Sequence, residues 1–234
     1  MARSSRRLPA RALAFRRRLL GWYRRHKRDL PWRGHADPWA VLVSEVMLQQ
    51  TQVSRVVDHW TRFLARYPTL EDLAAAAEDH VCDSWAGLGY YARARNLHAA
   101  ARAVVRDHAG VLPRDPAALG RLPGIGRYTA AAVASLAFGA PVATVDTNVE
   151  RVLARVFAVR GHKGEAARTH RVWALASALV PARRSGDWNQ ALMDLGATIC
   201  TARSPRCERC PVEALCRGSR LRRRRPSPAS GSRR

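Results

Sequence analysis

Leu122-Pro123-Gly124-Ile125-Gly126-Arg127-Tyr128-Thr129-Ala130 is the stretch on which the fold turns. Two glycines one residue apart let the backbone turn sharply and come close to a ligand. A helix opening there directs its first N–H groups outward, and a DNA phosphate is a natural occupant of such a site. A lone Gly-x-Gly is otherwise an ordinary helix–helix turn, so its meaning depends on what surrounds it. On both sides the dominant period is helical. Asp37-Pro38 reads as an N-cap and first helical position, opening a stretch through Leu42, Glu45, Val46 and Gln49. A second helix is expected from about 52 to 66, and Thr69-x-x-Asp72 is a capping-box start for a third. Further helices fall near 79–86, 91–108, 126–138, 148–158, 165–180 and 187–199, with Gly87, Gly110, Gly139 and Gly161 as C-caps. No alternating strand pattern and no internal repeat is present, so the fold class is all-α. The Arg run and Pro-Ser-Pro-Ala-Ser-Gly of residues 217–234 read as disordered.

Composition bounds the partners. A chain of 234 residues with 47% hydrophobic side chains can bury one or two modest cores. It contains no run of 18 apolar residues, so no membrane span is expected. The formal charge is +23, and its placement matters more than its size. Residues 1–33 carry 12 Lys or Arg against one acid, and residues 217–234 carry eight Arg and no acid. The 183 residues between them hold 21 basic and 17 acidic side chains. A nearly balanced body with two basic arms fits a polyanion, through counterion release from phosphates, better than a small acidic substrate. Charge alone leaves RNA and anionic membrane open, and an Arg-rich, acid-poor N-terminus also has the composition of an organelle transit peptide.

Cys200, Cys207, Cys210 and Cys216 fall in the spacing Cys-x6-Cys-x2-Cys-x5-Cys, tight enough for one inorganic centre. No secretion signal is recognisable at the N-terminus, where Leu8 to Phe15 is short and broken by Arg, so a reducing compartment is expected and disulfides are disfavoured. Zinc ribbons usually carry two Cys-x2-Cys pairs and this segment has one, which leaves zinc and an iron–sulfur cluster level on spacing alone. Cys82, in an apolar helical stretch, is expected in the core.

Seven segments then fall in a familiar order. Leu30-Pro31-Trp32-Arg33, Ser44 through Thr51 and Gly87 through Asn96 resemble the signature segments of MutY-type adenine DNA glycosylases. The hairpin at 122–130, Val145 through Val149, Asn189 through Gly196 and the cysteine array follow, so the likeness covers about residues 18–217. The resemblance places the chain among the endonuclease III-like helix-hairpin-helix glycosylases. It implies two helical lobes, with a six-helix domain at 38–147 and a [4Fe-4S] domain at 148–218. A basic arm and helix at 1–37 would pack with the latter, and 219–234 would be a disordered basic tail. The cysteine pattern is similar to the [4Fe-4S] site of that family, where zinc is not expected.

The residues themselves suit the chemistry. Cutting a base from deoxyribose needs an acid to improve the leaving group and an anion to shelter an oxocarbenium-like sugar. Glu45 is flanked by Val43, Val46, Met47 and Leu48, and partial burial there favours the protonated carboxyl near neutrality. Otherwise it is a solvated helix carboxylate. Asp146 reads by pattern as a plain N-cap. The resemblance implies that Glu45 protonates adenine at N7 and helps activate water, and that Asp146 faces the sugar. Asn148 and Tyr128 would hold these two in place. Bifunctional relatives carry a lysine where Tyr128 stands, to form a Schiff base. This chain has only Lys27 and Lys163, so it is expected to be monofunctional.

A base inside a duplex must be extruded to reach such a pocket. By resemblance Gln50 and Tyr90 fill the gap, and Trp32, Arg33, Leu48 and Gln190 line the pocket. Gln49, Thr51, Leu122, Gly124, Gly126 and Arg127 join Gln50 and Tyr90 in contacting DNA. Trp32 and Tyr90 have core aromatics as their plain reading. Adenine glycosylases of this type usually continue into a C-terminal domain that reads 8-oxoguanine, whereas this sequence stops 18 residues after Cys216. Discrimination of 8-oxoguanine from guanine is therefore expected to be blunted. Short members of the superfamily act on T/G or U/G mismatches, and these are the alternative substrates. A non-catalytic iron–sulfur DNA-binding protein is the alternative of another class, and it would be marked by loss of Glu45 or Asp146. The partner expected is duplex DNA with mismatched or oxidised pairs, bound by a cytoplasmic, nucleoid-associated monomer.

Overall fold

The computed structural model describes residues 8–35 and 37–223, and no strand occurs among them. The helices, in chain order, are α1 (Ala10–His26), α2 (Pro38–Met47), α3 (Val53–Arg66), α4 (Leu70–Ala75), α5 (Glu78–Ser84) and α6 (Ala92–His108). After them come α7 (Pro116–Leu119), α8 (Arg127–Leu136), α9 (Thr147–Phe157), α10 (Ala166–Leu179), α11 (Ser185–Thr198) and α12 (Arg217–Arg223). The all-α class is as expected. No helix among the described residues is long and apolar enough to cross a membrane.

Local chemistry sets most of the helix starts. Asp37 accepts the N–H of Trp39 at 2.9 Å with Pro38 in the first turn, which opens α2. Thr69 and Asp72 exchange the two bonds of a capping box at 3.1 and 2.9 Å. Asp115-Pro116 repeats the signature of α2, Asp115 accepting from Ala118 at 2.9 Å. The resulting α7 has one turn, too short to show a period in sequence. Two of the expected glycine C-caps are displaced. Ala109 and Ala158 take the left-handed caps of α6 and α9, at φ 51° and 53°. Gly110 follows at φ 78°, a left-handed conformation that favours glycine there.

The chain divides into two compact units. One comprises residues 28–142 and 182–186 and holds α2 to α8. Its α3 buries Val56, Trp60 and Phe63, one stripe at helical spacing. Leu42, Met47, Phe63, Leu73, Trp85, Leu97 and Leu119 are fully buried in the same core. Each aliphatic or Phe side chain so buried contributes about 2 kcal/mol from area removed from water. Cys82 is only half-buried; Val81 is the α5 residue that enters the core, because one face of a two-turn helix cannot take both neighbours.

The other unit joins residues up to 27 with 143–181 and the chain from 187 onward. Phe15 of α1 sits edge-on to Phe157 and Trp188, at 5.4 and 5.6 Å between ring centres. Two arginines of α1 are used internally. Arg11 donates to the carbonyls of Val156, at 3.0 Å, and Leu215. Arg16 donates to Leu179 O at 3.1 and 2.8 Å, at the end of α10. Residues 217–223, expected as disordered, form α12. Gly218 lets it lie against Arg155, where a Cβ would be 2.8 Å from the carbonyl oxygen, and Ser219 Oγ donates to Glu213 at 2.7 Å. The rest of the expected disordered tail, 224–234, lies outside the described residues.

Candidate active site and cysteine centre

From Trp39 onward every residue of α2 is buried, Glu45 among them at 5% exposure. Val43 and Met47 beside it are at 0%, so this carboxyl is carried inside the apolar core and is not a solvated helix acid. Such a group is shielded from bulk water, which suits it to give a proton to something brought against it. The end of α2 is tied to the first turn of α8, where Gln49 Nε2 donates to Thr129 Oγ1 at 3.2 Å. Tyr128, half-buried, is the second residue of α8. In the hairpin itself Leu122 and Ile125 are buried at 6% and 4% and anchor the loop, while Pro123, Gly124, Gly126 and Arg127 are exposed. Gly124 has φ 70°, and a Cβ on it would meet Asn96 Cβ at 2.5 Å. Glycine is required there on both counts.

Gln50 and Tyr90 are exposed and left-handed, with φ of 58° and 49°. Tyr90 is 63% exposed, so its reading as a core aromatic does not hold. A non-glycine residue in this region costs on the order of 1 kcal/mol, and it persists only where neighbours enforce it. Thr51, expected to touch DNA, turns its hydroxyl inward to accept from Arg93 at 3.0 Å. Trp32 is 8% exposed and edge-on to Trp60 at 6.0 Å. Arg33 donates to Arg28 O at 3.1 Å, and Leu48, half-buried, caps α2.

In the other unit, Asp146 is the N-cap of α9. Its Oδ1 accepts the N–H of Val149 at 2.7 Å, and its Oδ2 accepts from Asn148 Nδ2 at 3.0 Å. Asn148 Oδ1 accepts in turn from Arg151 at 2.6 Å, and Arg151 also donates to Gly196 O at 2.8 Å and Cys200 O at 2.7 Å. Gly196 is needed for this approach, since a Cβ there would lie 2.6 Å from Asn148 Cβ. A carboxylate held by a cap and an amide is an anion of fixed direction, able to face a cation. Gln190 is half-buried and accepts from Tyr23 OH at 2.5 Å, which fixes which of its amide atoms remains to meet a ligand. Tyr23, Arg93 and Arg151 are site residues that the sequence reading missed. A buried polar group reveals itself only when the fold brings its acceptors together.

None of the five cysteines is in a disulfide. Cys200, Cys207, Cys210 and Cys216 line one cavity of about 60 Å³ with Ile199, Val212 and Leu195. Burial pushes the Cys210 thiol up to about 12, against a backbone bond from Val212, and the other three cysteines add to the rise. Four thiols converging in this way ionise together only around a cationic centre. Arg155 frames the loop, donating to Thr201 O at 2.6 Å and Ala202 O at 2.8 Å, with Cys200 Sγ at 3.5 Å.

Comparisons with known proteins converge on this description. The family described as HhH-GPD superfamily base excision DNA repair protein matches residues 43–177, and the iron-sulfur binding domain of endonuclease III matches residues 200–216. The four cysteines are therefore an iron–sulfur site. The chain is similar to the adenine DNA glycosylase of Homo sapiens, 48% identical over 95% of this chain and 42% of that one. It is likewise similar to that of Mycolicibacterium smegmatis, 48% identical over 83% of this chain and 66% of that one. It thus spans about two fifths of the human relative's length. Among solved structures it is similar to a thermostable thymine-DNA glycosylase, with TM-score 0.83, 34% identity, and 90% and 97% of the two chains covered. A non-covalent endonuclease III–DNA complex matches with TM-score 0.74, 27% identity, and 92% and 99% covered.

Proposed function

Because the chain belongs to the HhH-GPD superfamily of base excision DNA repair proteins, we propose that it is a monofunctional DNA glycosylase that removes adenine mispaired with 8-oxoguanine or guanine. The observation that carries this reading is Glu45, an acid 5% exposed within the apolar α2, inside the segment matched by the family. The relatives named adenine DNA glycosylase, at 48% identity, supply the base.

In this mechanism the target adenine leaves the stack and Gln50 and Tyr90 occupy its place. Trp32, Arg33, Leu48 and Gln190 receive the base. Glu45 gives its proton to N7, the bond between N9 and the sugar C1′ breaks, and the electron pair leaves with the neutral base. Asp146 faces the cationic sugar, held in direction by Asn148 and by the α9 cap. The Glu45 carboxylate then takes a proton from water as the hydroxyl adds to C1′, which restores the acid. Tyr128 positions Glu45 and offers no amine. The only two lysines, Lys27 at the end of α1 and Lys163 in an exposed loop, lie outside the motif positions at which bifunctional relatives carry the Schiff-base lysine. An iron–sulfur centre held by Cys200, Cys207, Cys210 and Cys216 would cross-link the loops from 200 to 216. The hairpin at 122–127 contacts the DNA backbone.

The likeness to a thymine-DNA glycosylase favours T/G mismatches as a second reading. End-labelled duplexes with A:8-oxoguanine, A:G, A:C, T:G, U:G and matched pairs separate the two. Product is expected from A:8-oxoguanine and A:G, and only after alkali. Cleavage confined to T:G or U:G would install the second reading, and efficient borohydride trapping on DNA would refute the monofunctional assignment.

A further inference from the structure

Arg93, in the first turn of α6, is 9% exposed, and its charge is met by a ring of backbone oxygens. Its Nη1 donates to the carbonyls of Val46, Met47 and Gln49 at 3.1, 2.8 and 2.6 Å. Its Nη2 donates to the carbonyls of Leu88 and Gly89 at 3.0 and 3.1 Å and to Thr51 Oγ1 at 3.0 Å. The first set lies at the end of α2, where Val46 O has a 3.3 Å bond from Gln49 N and the helix presents its negative pole. The second set is the loop that leads into α6.

Two of these acceptors matter most. Gln49 O and Gly89 O belong to the peptide groups immediately before Gln50 and Tyr90, both left-handed at φ 58° and 49°. The plane of the preceding peptide and the φ of the residue after it turn together, so a bond that pins the carbonyl holds the residue's conformation. We infer that Arg93 is a positioning residue that sets Gln50 and Tyr90 together, in the conformation that enters the base stack, before DNA arrives. The inference rests on the proposed glycosylase reading, in which those two residues fill the gap. The guanidinium also lies over the Tyr90 ring at 5.6 Å and the Trp85 ring at 5.5 Å, so the exposed tyrosine is backed by a cation as well as by its backbone. With both residues preset by one side chain, their ordering is met on folding and not on binding. Lysine cannot do this, since a single ammonium lacks the planar fork that spans two loops.

The test uses a duplex with 2-aminopurine at the target position opposite guanine, whose fluorescence at saturating protein reports unstacking, beside single-turnover excision of adenine. Arg93→Lys is expected to lower both the unstacking equilibrium and the excision rate by about tenfold, since two left-handed residues lose their restraint. The thermal midpoint falls as buried carbonyls lose donors, so both readouts are taken well below it, and affinity for matched duplex should change little. In a background without the inserted side chains, Gln50→Ala with Tyr90→Ala, the same change should matter by less than about twofold, because nothing is left to position. Normal unstacking by Arg93→Lys, or an equal loss in both backgrounds, would overturn the inference. Failure of both Arg93→Lys and Arg93→Gln to fold would do the same by assigning Arg93 to the core. A wild type that unstacks 2-aminopurine yet excises no adenine refutes the adenine reading and leaves the Arg93 test intact. Absence of unstacking by the wild type overturns the inference itself.

Discussion

Glu45 and Arg93 occupy the same core, and only one of them was legible in the sequence. Glu45 stands among Val43, Val46, Met47 and Leu48, a pattern that leaves a solvated helix face open, and its inward reading comes from the motif it sits in; in the fold α2 is buried on every side and carries it inward. Arg93 has an unremarkable neighbourhood, in a helix start with Arg95 two residues on. Its acceptors come from α2 and from the loop at 88–89, which are remote from one another in sequence, so its role exists only once they meet. At this scale the reaction makes a direct demand. Glu45→Gln keeps the shape of the side chain and removes the transferable proton. Its single-turnover excision rate should fall at least about 10²-fold, the low end for a positioned general acid, while affinity for mismatched duplex stays near that of the wild type. Lost affinity with a normal rate on bound DNA would show Glu45 to be a binding residue.

Helix ends carry much of the site, and this is where sequence reading divides most clearly. Asp37-Pro38 and the Thr69–Asp72 box were readable because capping uses fixed offsets within a few residues. The left-handed caps at Ala109 and Ala158 were not, since alanine gives no signal and tertiary packing overrides its preference. The α12 turn was hidden in an arginine run; the fit of Gly218 against Arg155 and the bond from Ser219 to Glu213 make it a packed element. In the proposed mechanism Asp146 serves two purposes that substitution can separate. As a cap it accepts from Val149, and asparagine caps about as well as aspartate. Asp146→Asn should therefore hold its thermal midpoint and lose excision, because the charge facing the sugar is gone. Asp146→Ala should lose excision and also about 1 kcal/mol of stability, measured by urea denaturation. Equal stability losses in both variants, with excision retained on folded protein, would leave Asp146 as a cap alone.

Across the whole molecule, the order of the motifs was plain in the sequence, and the use of its charge was not. Arg11 and Arg16, counted among the basic N-terminal side chains, spend their guanidinium groups on the carbonyls of Val156, Leu215 and Leu179. Those two are structural and leave the pool available to phosphates. Residues 224–234 contribute four more arginines, at 224, 225, 233 and 234, with no acid among them. If they meet DNA by charge alone, deleting 224–234 should weaken binding to mismatched and random duplex by similar factors, because binding to phosphate carries no sequence information. The slope of log affinity against log salt should become shallower by about 0.9 for each phosphate that the shortened protein no longer neutralises. Single-turnover excision at saturating protein should survive, since Glu45, Asp146 and the four cysteines all precede the deleted segment. A deletion that abolished excision only opposite 8-oxoguanine, with the salt slope untouched, would instead make this segment a reader of the opposite base.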